Sequence, residues 1–154
     1  MSETHAQPLP DNLRATAAYI AGLQLPSGAL PWFEGGITDP WDHVEAIMGL
    51  TVAGNLNNAV AGFEWLGKMQ RADGAWFAAY QDDIVADDSR AETNFVAYVA
   101  TGLWHYYLAT QDKDTLAQFW PMVQKAISFV LDQQAQAGKS IGPWTPKPGH
   151  QRTP

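Results

Sequence analysis

The chain has 154 residues, 46% of them hydrophobic and 12% aromatic, enough for one ordinary domain with a real core and too apolar for a disordered segment. Nine basic against sixteen acidic residues leave a net charge of -7 with no run of Lys or Arg, which excludes a surface that tracks nucleic-acid phosphates. Cysteine is absent, no apolar run approaches the ~20 residues of a membrane span, and the opening MSETHAQPLP lacks the features of a signal peptide, so thiolate chemistry is excluded and a cytoplasmic location is expected.

Residues 11–24 predict a first helix, with Asp11 able to cap it and Leu13, Ala17, Ile20 and Leu23 on one face. Pro26 and Gly28 end it, and a Gly-rich stretch runs to Gly36. Asp39 then caps a second helix with Pro40 at its first position, and Gly54 closes it. Its apolar residues point all round, which predicts a helix enclosed by protein. A third helix from Asn57 or Asn58 to Gln70 is one-faced through Val60, Phe63 and Leu66. Residues 72–90 read as a loop carrying Asp82, Asp83, Asp87 and Asp88, a solvated acidic turn with Asp88 or Ser89 capping the next helix or, less simply, oxygen ligands for Mg²⁺ or Ca²⁺. The fourth helix, Ala91 to Thr110, is apolar all round. The fifth opens at Asp112, is interrupted or restarted at Pro121, and is one-faced through Leu116, Trp120, Val123, Ile127 and Val130. No segment alternates as a strand does.

One-faced helices one, three and five alternate with enclosed helices two and four, which predicts an all-α fold of about two and a half antiparallel hairpins, an outer layer around an inner one, over residues 11–135. Residues 1–10 and 136–154 are expected to be tails, disordered or extended. Three segments repeat at the outer helix ends: Gln24 to Gly28 with Trp32, Gln70 to Gly74 with Trp76, and Gln134 to Gly138 with Trp144. The reading is that Gln bridges the helix end, Gly makes a left-handed turn and Trp packs over the junction.

The Gln-x3-Gly-x-Trp of residues 70–76 resembles the QW motif of squalene and terpenoid cyclases, whose α/α toroid also occurs in protein prenyltransferases. DPWDHVEA at 39–46 and ETNFVAYVATGLWHYY at 92–107 look like bacterial prenyltransferase-like proteins. The resemblance implies a partial α/α toroid and an isoprenoid ligand in its cavity. It does not carry over the chemistry: Val85 stands where a DxDD acid begins, and the zinc site of prenyltransferases needs a Cys. Against toroids of about six hairpins the chain reads as truncated, and its open edge predicts a homo-oligomer or pairing with another toroid fragment.

Superposing the two inner helices sets His43 and Glu45 opposite Glu92 and Asn94 at one mouth of the cavity, with Trp32, Asp39, Trp41 and Tyr98 near them. Two carboxylates beside aromatic platforms suit a sugar ring, as general acid and base in glycoside cleavage, so Glu45, Glu92 and His43 are the catalytic candidates. Trp32, Asp39, Trp41, Asn94 and Tyr98 are the ligand-binding ones. The plainer reading makes Asp39, Asp42 and Glu92 helix caps, His43 a core histidine bonded to Glu45 or Glu92, and Trp65, Trp104, Trp120 and Tyr107 core. Nothing names a cofactor, and no metal site is expected. Three functions are therefore open: a prenyltransferase-like or cyclase-like protein holding an isoprenoid or glycan, a non-catalytic binding or assembly module, and a fragment of a glycoside-hydrolase-like α/α barrel.

Overall fold

The computed structural model describes residues 10–140. Trp144 and the stretches expected as tails, Pro10 and residues 136–140 apart, lie outside them. Among the described residues the order is α1 (Asp11–Leu23), α2 (Pro40–Val52), α3 (Leu56–Met69), β1 (Ala79–Gln81), β2 (Ile84–Asp87), α4 (Thr93–Thr110) and α5 (Lys113–Ser140). The fold is all-α but for one small hairpin. Inner helices α2 and α4 pack on each other, α3 backs α2, α5 backs α4, and α1 lies against α2.

The helix starts show which acids cap and which do not. Asp39 caps α2 by accepting the Trp41 and Asp42 amides on Oδ1 at 2.9 and 3.0 Å, with Pro40 behind it. Asp112 caps α5 likewise, taking the Asp114 and Thr115 amides at 3.0 and 3.1 Å. Asp11 is itself helical and pairs with Arg14 rather than capping. At α4, Glu92 holds the cap position without a side-chain cap bond, and Asp87 instead accepts the Ser89 amide. Pro121 sits inside α5 without interrupting it.

Two of the three repeated segments are one device built twice. Gln24 donates from Nε2 to the Gly28 carbonyl at 3.0 Å and the Asn58 carbonyl at 2.9 Å. Gln70 does the same to Gly74 and Met122 at 3.0 and 2.9 Å. Each glutamine thus ties its own turn to the next outer helix. Gly28 and Gly74 have φ of +98° and +93°, and a Cβ on either would stand 2.1 Å from the Ala61 carbonyl oxygen or 2.3 Å from that of Lys125. Only glycine satisfies both the left-handed turn and that approach. The third segment differs, because Gln134 and Gly138 lie within α5. Trp76 covers its junction as expected, buried and donating to the Leu66 carbonyl at 2.9 Å. In the first copy that place is taken by Leu30, two residues past Gly28 as Trp76 is two past Gly74, which releases Trp32 from the core.

The acidic stretch is a β-hairpin, with Tyr80 opposite Val85 and left-handed Asp82 and Asp83 at its tip. Asp83 accepts from Ser27 Oγ at 2.9 Å and from the Trp65 indole at 2.7 Å. Asp83 is thereby tied into the fold, and among the described residues no group of three or more His, Cys, Asp or Glu is placed to hold a metal ion. Tyr80 also exchanges both backbone hydrogen bonds with Thr38 at 2.8 Å, which pins the chain just ahead of Asp39.

Ile47, Leu50, Phe63, Trp65, Leu66, Val96, Val99 and Leu103 make the core. Val44 of α2 seats where a Cβ on Gly102 of α4 would be 2.4 Å away, so the inner helices meet closely. The enclosure expected of α4 is incomplete: Ala97 is half-buried, and Trp104 and Leu108 on the same face are more than half exposed. Trp120 is exposed too, its expected place in the core filled by Phe119. Among the described residues no helix is long and apolar enough to cross a membrane.

Candidate functional site

Loop 29–39 brings the site together. The Trp32 amide donates to the Ile37 carbonyl at 2.9 Å, closing a small loop, and its indole N–H donates to Asp39 Oδ2 at 2.5 Å. Asp39, almost fully buried, therefore caps α2 with one oxygen and aims Trp32 with the other. The indole itself stays 52% exposed.

On one side of Trp32 lies a cleft of about 430 Å³, walled by Tyr19, Ile20 and Leu23 of α1, by Leu30 and Pro31, and by Asp42, Glu45 and Ala46 of α2. This is the size of a small-molecule pocket. On the other side Trp32 and Asp42 share a smaller cavity of about 220 Å³ with Asp39, Trp41, Asn94 and Phe95. A third, of about 370 Å³, continues past Trp32 toward Asp87 and Arg90. Trp32 is the common wall of all three.

Behind the cleft, Trp41 stacks on Tyr98 with centroids 4.0 Å apart and planes 3° from parallel, joining α2 to α4. Both donate to the same oxygen of Glu45, the Trp41 indole at 2.9 Å and the Tyr98 hydroxyl at 3.3 Å. Burial and then the charge of Glu45 push the Tyr98 phenol up, so it remains a donor. Asp42 is the other carboxyl of the cleft. Its loss of solvation and the charges of Asp39 and Glu45 raise its pKa, so it keeps its proton to higher pH than an ordinary aspartate.

Trp32, Asp39, Trp41, Glu45 and Asn94 thus line neighbouring cavities, with Tyr98 stacked on Trp41 behind them. The structure separates two of the expected catalytic residues from them. His43 is fully buried: its Nδ1 accepts the Leu30 amide at 3.1 Å and its Nε2 faces the Gly62 carbonyl at 3.0 Å. Those partners require a neutral ring with the proton on Nε2, bonded to backbone rather than to Glu45 or Glu92, and burial lowers its pKa to about 4. It is a strut between the loop and α3, out of reach of any ligand. Glu92 is held by Arg90 at 2.7 Å, and Arg90 also pairs with Asp87 at 2.9 Å, which makes Glu92 part of a surface tie.

Asp42 is the residue that sequence reasoning assigned only to capping. The signal was there: Asp39, Asp42 and Glu45 are spaced by threes at one helix start, and one carboxylate suffices to cap.

No family model matches the chain. A protein named MMP endo-(1,4)-3-O-methyl-alpha-D-mannosidase, from Mycolicibacterium hassiacum, is 52% identical to it over 130 residues, 84% of this chain and 36% of that protein. The chain therefore spans about a third of the length of this relative. The likeness overturns the expected kinship with prenyltransferases and terpenoid cyclases, and with it the transferase reading: the relative is named for cleaving a mannoside. The Gln–Gly turn that suggested the kinship joins a helix end to its neighbour, a task of the fold and not of a reaction.

Proposed function

We propose that the Trp32 cleft holds an α-(1,4)-linked, O-methylated mannoside and takes part in its hydrolysis. The observation that carries this is a half-exposed tryptophan plate sharing one cleft with two carboxyl groups of α2, Asp42, which burial and its acidic neighbours hold protonated to higher pH, and Glu45. A sugar ring stacks on such a plate, and glycoside cleavage needs one carboxyl that donates a proton and one that stays a carboxylate. The name of the M. hassiacum relative supports the glycan class.

In this reading Asp42, whose proton is held more tightly, donates it to the glycosidic oxygen as the bond from that oxygen to the anomeric carbon breaks. Glu45, steadied by Trp41 and Tyr98 on one oxygen, accepts a proton from the water that attacks that carbon. Asp39 is a positioning residue, acting through Trp32. Asn94, which lines the smaller cavity with Trp32, contacts the next sugar in this reading.

The test is the release of new reducing ends from an oligosaccharide of α-(1,4)-linked 3-O-methylmannose. The wild-type chain is expected to cleave it. Asp42→Asn is expected to retain binding and lose at least about 100-fold in rate, the usual share of a general acid. Cleavage undiminished in Asp42→Asn would remove Asp42 from the reaction, and no cleavage by the wild type would reject the catalytic part of the proposal.

A further inference from the structure

We infer that the cleft between Tyr19 and Trp32 selects methyl ethers over free hydroxyls, with Ile20, Leu23 and Ala46 as the residues that read the methyl group. The inference rests on the glycan reading above and adds what that site discriminates.

The wall of this cleft is poor in free hydrogen-bond donors. Ile20 and Leu23 belong to α1 and Ala46 to α2, so their backbone N–H groups lie within helices. Pro31 has no N–H at all. The Leu30 amide is committed to His43 Nδ1, and the Trp32 indole N–H to Asp39. Asp42 and Glu45 accept hydrogen bonds, and as a proton donor Asp42 has one proton to give. The Tyr19 hydroxyl, on a side chain 62% exposed, is the one uncommitted donor among the lining residues.

A free sugar hydroxyl laid against the side chains of Ile20, Leu23 and Ala46 would exchange water for carbon and meet no donor for its lone pairs. A methyl ether has no proton to place, and its methyl group covers apolar surface. The carboxylates, on the same side of the cleft, serve the hydroxyls that remain free. The wall thus divides a partly methylated sugar into an edge that meets Asp42 and Glu45 and an edge that meets carbon.

The experiment is calorimetric titration of the chain with two matched oligosaccharides, one of α-(1,4)-linked 3-O-methylmannose and one of α-(1,4)-linked mannose. The methylated ligand is expected to bind roughly tenfold more tightly, the scale on which an apolar pocket reads one methyl group. Leu23→Gln and Ala46→Ser, two changes of different size, are expected to bring that ratio toward one by weakening the methylated ligand, with thermal melts showing which variants are folded. Equal affinities in the wild type, or a ratio that neither folded variant changes, would overturn the inference and leave glycan binding standing. Failure of the wild type to bind either ligand would overturn the glycan reading itself.

Discussion

His43 and Asp42 are adjacent in α2, yet the helix turns one into the core and the other into the cleft, and their proton affinities move in opposite senses. For His43 burial favours the neutral ring, so its folded value of about 4 lies below the ordinary 6.5. The unfolded chain therefore takes up the proton first as pH falls. Stability from this group is present above about pH 6.5 and is lost as pH drops toward 4, a loss of roughly 3 kcal/mol from the shift. Urea unfolding at pH 7 and pH 4 checks this. His43→Gln is expected to be less stable than wild type at pH 7 and to lose less on acidification, whereas an equal loss in both would show that His43 is not a source of it. That His43 belongs to the core was legible as one of two readings, but its partners were not, because Leu30 and Gly62 are backbone groups that no side-chain pattern announces. Asp42 was hidden by its neighbour: beside a good capping residue and a helix start, an acid has a sufficient local explanation.

Among the elements, the two Gln–Gly clasps are where sequence and structure agree best, because glycine, glutamine and the helix end are all local. Gly74 carries a positive φ and would put a Cβ 2.3 Å from a backbone oxygen, so Gly74→Ala is expected to cost at least about 2 kcal/mol. Gln70→Ala, which removes two hydrogen bonds to backbone carbonyls, is expected to cost about 1–2 kcal/mol. Denaturant midpoints measure both, and a Gly74→Ala variant as stable as wild type would show that the turn relaxes. The hairpin at 79–87 was not legible, since its strands are three and four residues long and its tip is two aspartates in place of the usual Asn-Gly. Trp32 carried two readings, cover of the helix junction and wall of the ligand site, and the structure removes the first. It resembles Trp76 in the repeat, but it stands four residues past its glycine rather than two, and that offset takes it out of the core and into the site.

At the scale of the molecule, the layered helices serve mainly to hold one loop. α3 supports His43, His43 supports Leu30, the hairpin pins Thr38, and Asp39 aims the indole, so Trp32 stands at the meeting of three cavities on a supported base. All-α architecture and the inner and outer layers follow from hydrophobic periodicity, which is why they could be read in advance. The cleft could not, because its walls come from α1, the loop and α2 together and no periodicity records their separation. A turn motif shared with cyclases describes how helices join, whereas the proposed glycan site rests on an exposed indole that shares a cleft with two carboxyl groups of α2. The most direct measurement is calorimetric titration of an α-(1,4)-linked 3-O-methylmannose oligosaccharide into the wild-type chain and Trp32→Ala. Saturable binding by the wild type, weakened at least roughly tenfold by removal of the indole, is the result expected for an aromatic anchor. Equal binding by both, or none by the wild type, would contradict the account.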